Sequence, residues 1–377
     1  MADLKVLLDR LRDVAANPRK VLGGYLAPGK EGKKVVGCFP VYVPEELVHA
    51  AGMVPMGLWG AQVTPTAAGK YNPIFTCSIM RSCLDHGMTG KYEGLSCVVM
   101  PMLCDTFRGM SAGWRAGVAD IPIASFIHPQ NREDASAKDF LVAEYRSLAH
   151  RLEEITGARI TDDALTASID IYNEHSAAMM AFADLANDHL DVIDPIVRHA
   201  VMKSGAFMLK EEHTAIVKRI MDELEKLPRH EWKGRKVVLT GLIAEPDDFL
   251  EMFAENGIAV VGDDLAQESR QYRTPIPAGD DPWARLAGQW QDRYGCSTVH
   301  EAKFTRGELM VDMAKRTGAT GVAVCLMRFC DVEEYDAPFI EKAAEAAGLR
   351  GLCLEIDQST QNNEQSRTKL QSFAEME

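Results

Sequence analysis

Three cysteines in this chain fall where thiols can do chemistry: Cys77 in FTCSIMRSC, Cys104 in VVMPMLCDTFRG and Cys330 in GVAVCLMRFCDVEEYDAP. Each sits where an apolar strand ends or a helix begins. Helix N-termini offer backbone N–H groups and positive partial charge, which favour thiolate. Thiolates select soft metals, so the chemistry in view is zinc, copper(I) or an iron–sulfur cluster. Three thiolates with one open position suit a reactive or redox centre better than a closed structural site. The alternative is core packing, because free cysteine is among the most buried residue types.

The remaining six of the nine cysteines are weaker candidates. Cys97, Cys325 and Cys353 lie inside apolar strands and read as core. Cys38 lies at a strand exit and Cys83 on the helix that follows Cys77; both are reserve ligands. Cys296 has no partner near it in sequence. No C-x2-C pair is present, so the simplest zinc-ribbon signature is absent.

The elements that must position these thiols alternate in the α/β manner. Lys34–Pro40, Val54–Trp59, Leu95–Pro101 and Ile121–Ile127 read as four strands. Arg235–Gly241, Ile258–Gly262, the Gly321–Met327 run and Gly351–Asp357 read as four more. Between the sets, long helical periods dominate: 140–156, 161–186 and 207–227, with Thr161 as an N-cap. The expected fold is α/β: two doubly wound parallel-sheet units of the Rossmann or flavodoxin type, joined by a helical connector. The expected boundaries are an N-terminal helix over 1–20, a first α/β unit over 21–133, the connector over 134–231 and a second α/β unit over 232–377. In the N-terminal helix Leu4, Leu7, Leu8, Leu11 and Val14 form an amphipathic face, expected to pack on the first unit. Pro338 is expected near the first turn of the helix after Cys330. In open sheets of this kind ligands bind at the carboxyl edge of the strands, where the three thiols lie.

The chain has 377 residues and a net charge of −14, which argues against nucleic acid or an anionic membrane as main partner. Its N-terminus is too charged for a signal peptide, and no window reaches the length of a membrane span; a cytoplasmic protein is expected. Neither a P-loop nor a convincing G-x-G-x-x-G is present. Arg270 and Arg273 are candidate forks for an anionic group, or else loop-fixing salt bridges. Gln365–Thr368, opening the last helix, carries the same ambiguity. Glu45 and Glu46 are candidate cleft carboxylates, or else balance a helix dipole. His49, His86, His128 and His300 show no ligand spacing.

Several stretches in one order resemble the 2-hydroxyacyl-CoA dehydratase family, which includes benzoyl-CoA reductase subunits. They are PVYVPEELVHAAGMVPMGLWG, FTCSIMRS, MLCDTFRG, VVGDDLAQESRQYR, MRFCDVEEYDAP and LCLEIDQSTQNNEQSRTKLQSF. Within the family, Val41–Glu46 with Gly262–Arg270 is most similar to β subunits acting on (R)-2-hydroxyglutaryl-CoA. The resemblance implies a heterodimer with a homologous α subunit that binds most of the acyl-CoA. It implies a [4Fe–4S] cluster on three cysteines, matching Cys77, Cys104 and Cys330, and a separate ATP-dependent iron–sulfur activator protein that injects an electron. This chain would serve mainly as electron relay in converting (R)-2-hydroxyglutaryl-CoA to glutaconyl-CoA through a ketyl radical, in anaerobic glutamate degradation. The physical need is clear: the β-proton is not acidic in a closed-shell thioester, so acid–base groups alone do not remove it near neutral pH. Three alternatives stand beside it: a dehydratase for another acyl group such as 2-hydroxyisocaproyl-CoA, a benzoyl-CoA reductase subunit, and a non-radical zinc- or flavin-binding protein. No flavin fingerprint is present, so FMN stays an open addition.

Overall fold

Two parallel sheets form from the eight apolar runs. The computed structural model describes residues 2–27, 33–157, 159–359 and 364–375. The first unit contains β1 (Val35–Cys38), α3 (Glu45–Ala50), β2 (Val54–Gly57), α4 (Ser78–Met88), β3 (Leu95–Pro101), α5 (Asp105–Gly117) and β4 (Ile123–Phe126), preceded by α1 (Ala2–Ala16) and α2 (Pro18–Leu26). Four helices follow: α6 (Ala137–Thr156), α7 (Asp162–Leu185), α8 (Pro195–Ser204) and α9 (Lys210–Leu224). The second sheet is built from β5 (Arg235–Gly241), β6 (Ile258–Leu265), β7 (Gly321–Met327) and β8 (Arg350–Ile356). Its helices are α10 (Asp247–Glu255), α11 (Ser269–Tyr272), α12 (Pro282–Asp292), α13 (Arg306–Thr317), α14 (Asp331–Ala346) and α15 (Glu364–Glu375). Among the described residues no helix is long and apolar enough to cross a membrane.

The sheets share one topology, β2-β1-β3-β4 and β6-β5-β7-β8, with every pairing parallel. Parallel strands buried on both faces read as unbroken apolar runs, and Val98, Val99, Val322 and Val324 are accordingly almost fully buried. The order reverses beside β1 in one sheet and beside β5 in the other. A crevice opens at each reversal, outside the carboxyl ends of the strands. Cys104 follows β3 and Cys330 follows β7, so each reversal carries a thiol on its far strand.

Four expectations are corrected. The amphipathic face of α1 packs on the helical block, not on the first sheet: Leu4, Leu7, Leu8 and Leu11 share a core with Val197, Val201, Ile216 and Ile220. An additional helix, α8, begins at Pro195 after Asp194, whose carboxylate accepts from the Val197 N–H at 2.8 Å. Strand β6 runs on through Asp263, Asp264 and Leu265. Carboxylates persist in that buried strand because Arg198, Arg270 and Arg273 pair with them. Helix α14 starts at Asp331, so Pro338 lies inside it. The expected N-cap at Thr161 is present, its hydroxyl accepting from the Ala164 N–H at 3.1 Å. Residues 360–363 of the last resembling stretch lie outside the described residues.

Candidate metal centre

Each of the three thiols occupies an N-cap. Cys77 caps α4, Cys104 caps α5 and Cys330 caps α14. None makes a side-chain capping hydrogen bond of full geometry. All three line one cavity of about 350 Å³, walled also by Pro40, Val41, Trp59, Gln130 and Tyr335. Two thiols come from the first unit and one from the second, so the cavity lies between the units.

Local structure explains the convergence. Phe329 takes a left-handed backbone with φ of 63°, a conformation that a bulky residue rarely adopts. The bend turns Cys330 back from the end of β7, and its N–H is held by the Met327 carbonyl at 3.1 Å. Across the cleft, the loop after β8 ties α4 to the second unit. Arg81 pairs with Asp357 at 3.2 Å, and the Gln358 N–H donates to Ser78 Oγ at 3.1 Å. Ser78 in turn donates to Met327 Sδ at 3.3 Å, and Gln358 Nε2 donates to the Trp59 carbonyl and to Glu245. The residue after Cys77 is thereby bonded to the strand that leads to Cys330.

Burial dominates the thiol electrostatics. Cys77 is pushed up to about 11, and Cys104 and Cys330 are also raised, desolvation being the largest cause in each. Backbone N–H groups of Met80, Phe107 and Glu333 act the other way and do not outweigh it. Desolvation thus outweighs the lowering expected from the helix termini; a coordinating metal deprotonates a thiol outright. Among the described residues no three His, Cys, Asp or Glu side chains close on a single-ion site. The thiols stand instead around a cavity wall, and a polynuclear iron–sulfur cluster takes each thiolate on a different iron. The donor set fits such a cluster.

The reserve cysteines lie elsewhere. Cys83 is fully buried and donates to the Leu58 carbonyl. Cys97 and Cys325 are core, and Cys353 is partly exposed on β8. Cys38 faces a different cavity, described below. Cys296, unpartnered in sequence, has partners in space: the Tyr42 hydroxyl donates to it at 3.0 Å, with Thr298 Oγ1 at 3.2 Å and Arg270 Nη1 at 3.6 Å. Burial raises this thiol, but the Arg270 charge and the two hydroxyls bring it below its ordinary value.

Beneath Cys330 lies a buried ion network that sequence reasoning missed. Arg306 holds Glu333 with two bonds, at 3.1 and 2.8 Å, and Ser297 Oγ donates to the same carboxylate at 2.6 Å. Arg270 reaches Glu333 at 3.5 Å and Asp264 at 3.1 Å; Arg273 reaches Asp264 at 2.7 Å. Arg270 and Arg273 are therefore structural salt bridges in this structure. The missed signal was Arg306 with Glu333, which are distant in sequence and drawn together only by the stacking of α13 on α14.

Other candidates resolve simply. Arg367, at the start of α15, pairs with Glu255 at the surface. His49 contacts Ser168 and Glu211, His86 packs on Tyr92, His300 is exposed, and His128 is buried against Trp290. Glu45 pairs with Lys210 at 2.8 Å, while among the described residues Glu46 closes no ion pair. Both line the cavity that Cys38 faces.

The family model described as 2-hydroxyglutaryl-CoA dehydratase, D-component matches residues 40–376. The chain is 44% identical to the lactoyl-CoA dehydratase subunit beta of Anaerotignum propionicum over 100% of both chains. It is 39% identical to the (R)-phenyllactyl-CoA dehydratase beta subunit of Clostridium sporogenes, again over 100% of both. It is 36% identical to the (R)-2-hydroxyglutaryl-CoA dehydratase subunit beta of Acidaminococcus fermentans over 99% of both.

Proposed function

The chain belongs to the 2-hydroxyglutaryl-CoA dehydratase D-component family, and from that premise we propose that it is the β subunit of a two-subunit (R)-2-hydroxyacyl-CoA dehydratase. Cys77, Cys104 and Cys330 would hold a [4Fe–4S] cluster. The observation that carries this is the meeting of three N-cap thiols from both units on one cavity. When bound, the cluster supplies one-electron chemistry, which the electron-relay role and the ketyl-radical route both require.

The chain's own residues do the rest of the work assigned here. Pro40, Val41, Trp59 and Met80 give the cavity apolar walls, which limit water around the thiols. The Ser78, Arg81, Asp357 and Gln358 contacts hold the two units at one separation. Tyr335 and Phe329 stand at the exposed side of the cavity, where a partner subunit or the ATP-dependent activator would approach. The homologous α subunit would bind most of the acyl-CoA.

The acyl group expected from sequence is (R)-2-hydroxyglutaryl. A smaller lactoyl group is a second reading, favoured by the higher identity to the lactoyl-CoA relative, 44% against 36%. The test is reconstitution of this chain with its α subunit, activator, ATP and a strong reductant, assayed on both acyl-CoA esters. We expect 2-enoyl-CoA formation that requires this chain. Equal turnover by the α subunit and activator without this chain would overturn the assignment.

A further inference from the structure

A second cavity, of about 70 Å³, lies beyond the wall formed by Pro40, Val41 and Trp59, residues it shares with the cysteine cavity. Its lining is unusually polar for an interior. Glu45, Glu46, Lys210 and Arg293 face it with Tyr145, Tyr172 and His175. Two carboxylates face two cations, but among the described residues only Glu45 and Lys210 close an ion pair. Lys210 is taken by Glu45 at 2.8 Å, and the Tyr172 hydroxyl also donates to Glu45 at 3.4 Å.

Arg293 is left over. It is 8% exposed, donates to the Arg270 carbonyl at 3.3 Å and lies over the Tyr42 ring at 4.0 Å. Among the described residues no carboxylate pairs with it. Burying an unpaired guanidinium is costly, so a cation so placed asks for an anion. Glu46, also 8% exposed, lines the same chamber and among the described residues closes no ion pair. Burial pushes it up to about 7, Glu45 adds to the rise, and Arg293 and Lys210 oppose it. Around pH 7 Glu46 is therefore divided between its protonated and ionised forms, and it neutralises Arg293 only in part.

We propose that this chamber binds a small monocarboxylate of two or three carbons, its carboxylate on the Arg293 guanidinium and on the Glu46 carboxyl. The size follows from the volume, which admits roughly five water-sized positions. With Glu46 protonated, Arg293 is the one positive charge left over and sets the ligand charge at −1, and a planar fork suits a carboxylate. Ile276, Leu286 and Trp290, which also line the chamber, would take the carbon tail. The proposal does not depend on what the three cysteines hold.

Glu46 also sets a pH dependence. Its charged or titratable neighbours around the chamber are Glu45, Lys210, Arg293, Cys38, Tyr42, Tyr145, Tyr172, Tyr272 and His175; burial raises Cys38 and the tyrosines and lowers His175, so these stay neutral. An anion binds best while Glu46 is protonated. Affinity should therefore fall about tenfold between pH 6 and pH 8 as Glu46 ionises.

The experiment is equilibrium dialysis of radiolabelled propionate against the full chain in complex with its α subunit, with chloride as competitor. We expect saturable binding of which one equivalent per complex is lost in Arg293→Gln. Arg293→Lys should weaken that equivalent about tenfold by losing the fork. Glu46→Gln should keep binding and remove its pH dependence. Ser176→Leu, which enlarges a different lining residue, is expected to narrow the chamber and abolish the site, with circular dichroism showing it and Arg293→Gln folded. Absence of binding at concentrations on the order of 10 mM, equal competition by chloride, or an unchanged stoichiometry in folded Arg293→Gln and Ser176→Leu would each overturn the proposal.

Discussion

Replacing Glu333 by alanine is expected to lower folding stability by about 3–5 kcal/mol. The carboxylate is fully buried and accepts from Arg306 twice, from Ser297 once, and faces Arg270 at 3.5 Å. Removing it leaves two guanidinium groups in the interior with one carboxylate fewer between them. That is the costly way to break a buried ion pair, because the remaining charge stays desolvated. The network also makes the loss pH-dependent in the intact protein. Burial raises Glu333, but Arg306 and Arg270 outweigh it and hold the carboxyl down at about 2. A depressed carboxyl contributes stability above its unfolded value near 4.5 and loses it as pH falls through 2. The wild type should therefore weaken across that acid window, while Glu333→Gln, weaker at neutral pH, should show a flatter acid limb. Chemical denaturation of wild type and both variants at pH 7 and pH 3 measures this. Equal stability of Glu333→Ala and wild type at pH 7 would show that the network carries no net charge compensation.

The second large effect concerns turnover. Cys330→Ala is expected to reduce dehydratase activity of the reconstituted complex by more than about 100-fold, since loss of an outer partner of a metal ligand already costs 10- to 100-fold. Stability should change little, because Cys330 is only partly buried and its side chain closes no capping bond. Cys353→Ala is the matched control: a partly exposed thiol of the same sheet, outside the cavity, expected to leave turnover unchanged. Steady-state enoyl-CoA formation and denaturation midpoints separate the two effects. A Cys330→Ala complex that turns over at the wild-type rate would remove Cys330 from the ligand set.

Much of this arrangement is written locally in the chain. Apolar runs bounded by turn residues located all eight strands, because a parallel strand buried on both faces needs an unbroken run. The three thiols stood out since each lies at a strand exit or a helix start, and in the folded protein each opens a helix. What stayed hidden depends on partners distant in sequence. Asp263 and Asp264 look like a turn until Arg198, Arg270 and Arg273 arrive to pair with them, and so β6 was read three residues short. Cys296 gains Tyr42 and Arg270 as partners only by folding, Tyr42 coming from the opposite unit. The pKa argument from helix ends failed for a related reason: a local dipole is visible in sequence, whereas desolvation is set by everything packed around the sulfur.

The central claim is that Cys77, Cys104 and Cys330 jointly hold an iron–sulfur cluster. Iron and acid-labile sulfide in the anaerobically purified chain, alone and co-expressed with its α subunit, test it most directly when wild type is compared with Cys104→Ala. The account predicts about four irons and four sulfides per chain, with brown colour, all lost in the folded variant. Iron-free, colourless and well-folded protein in both preparations, or iron retained in full by Cys104→Ala, would contradict it.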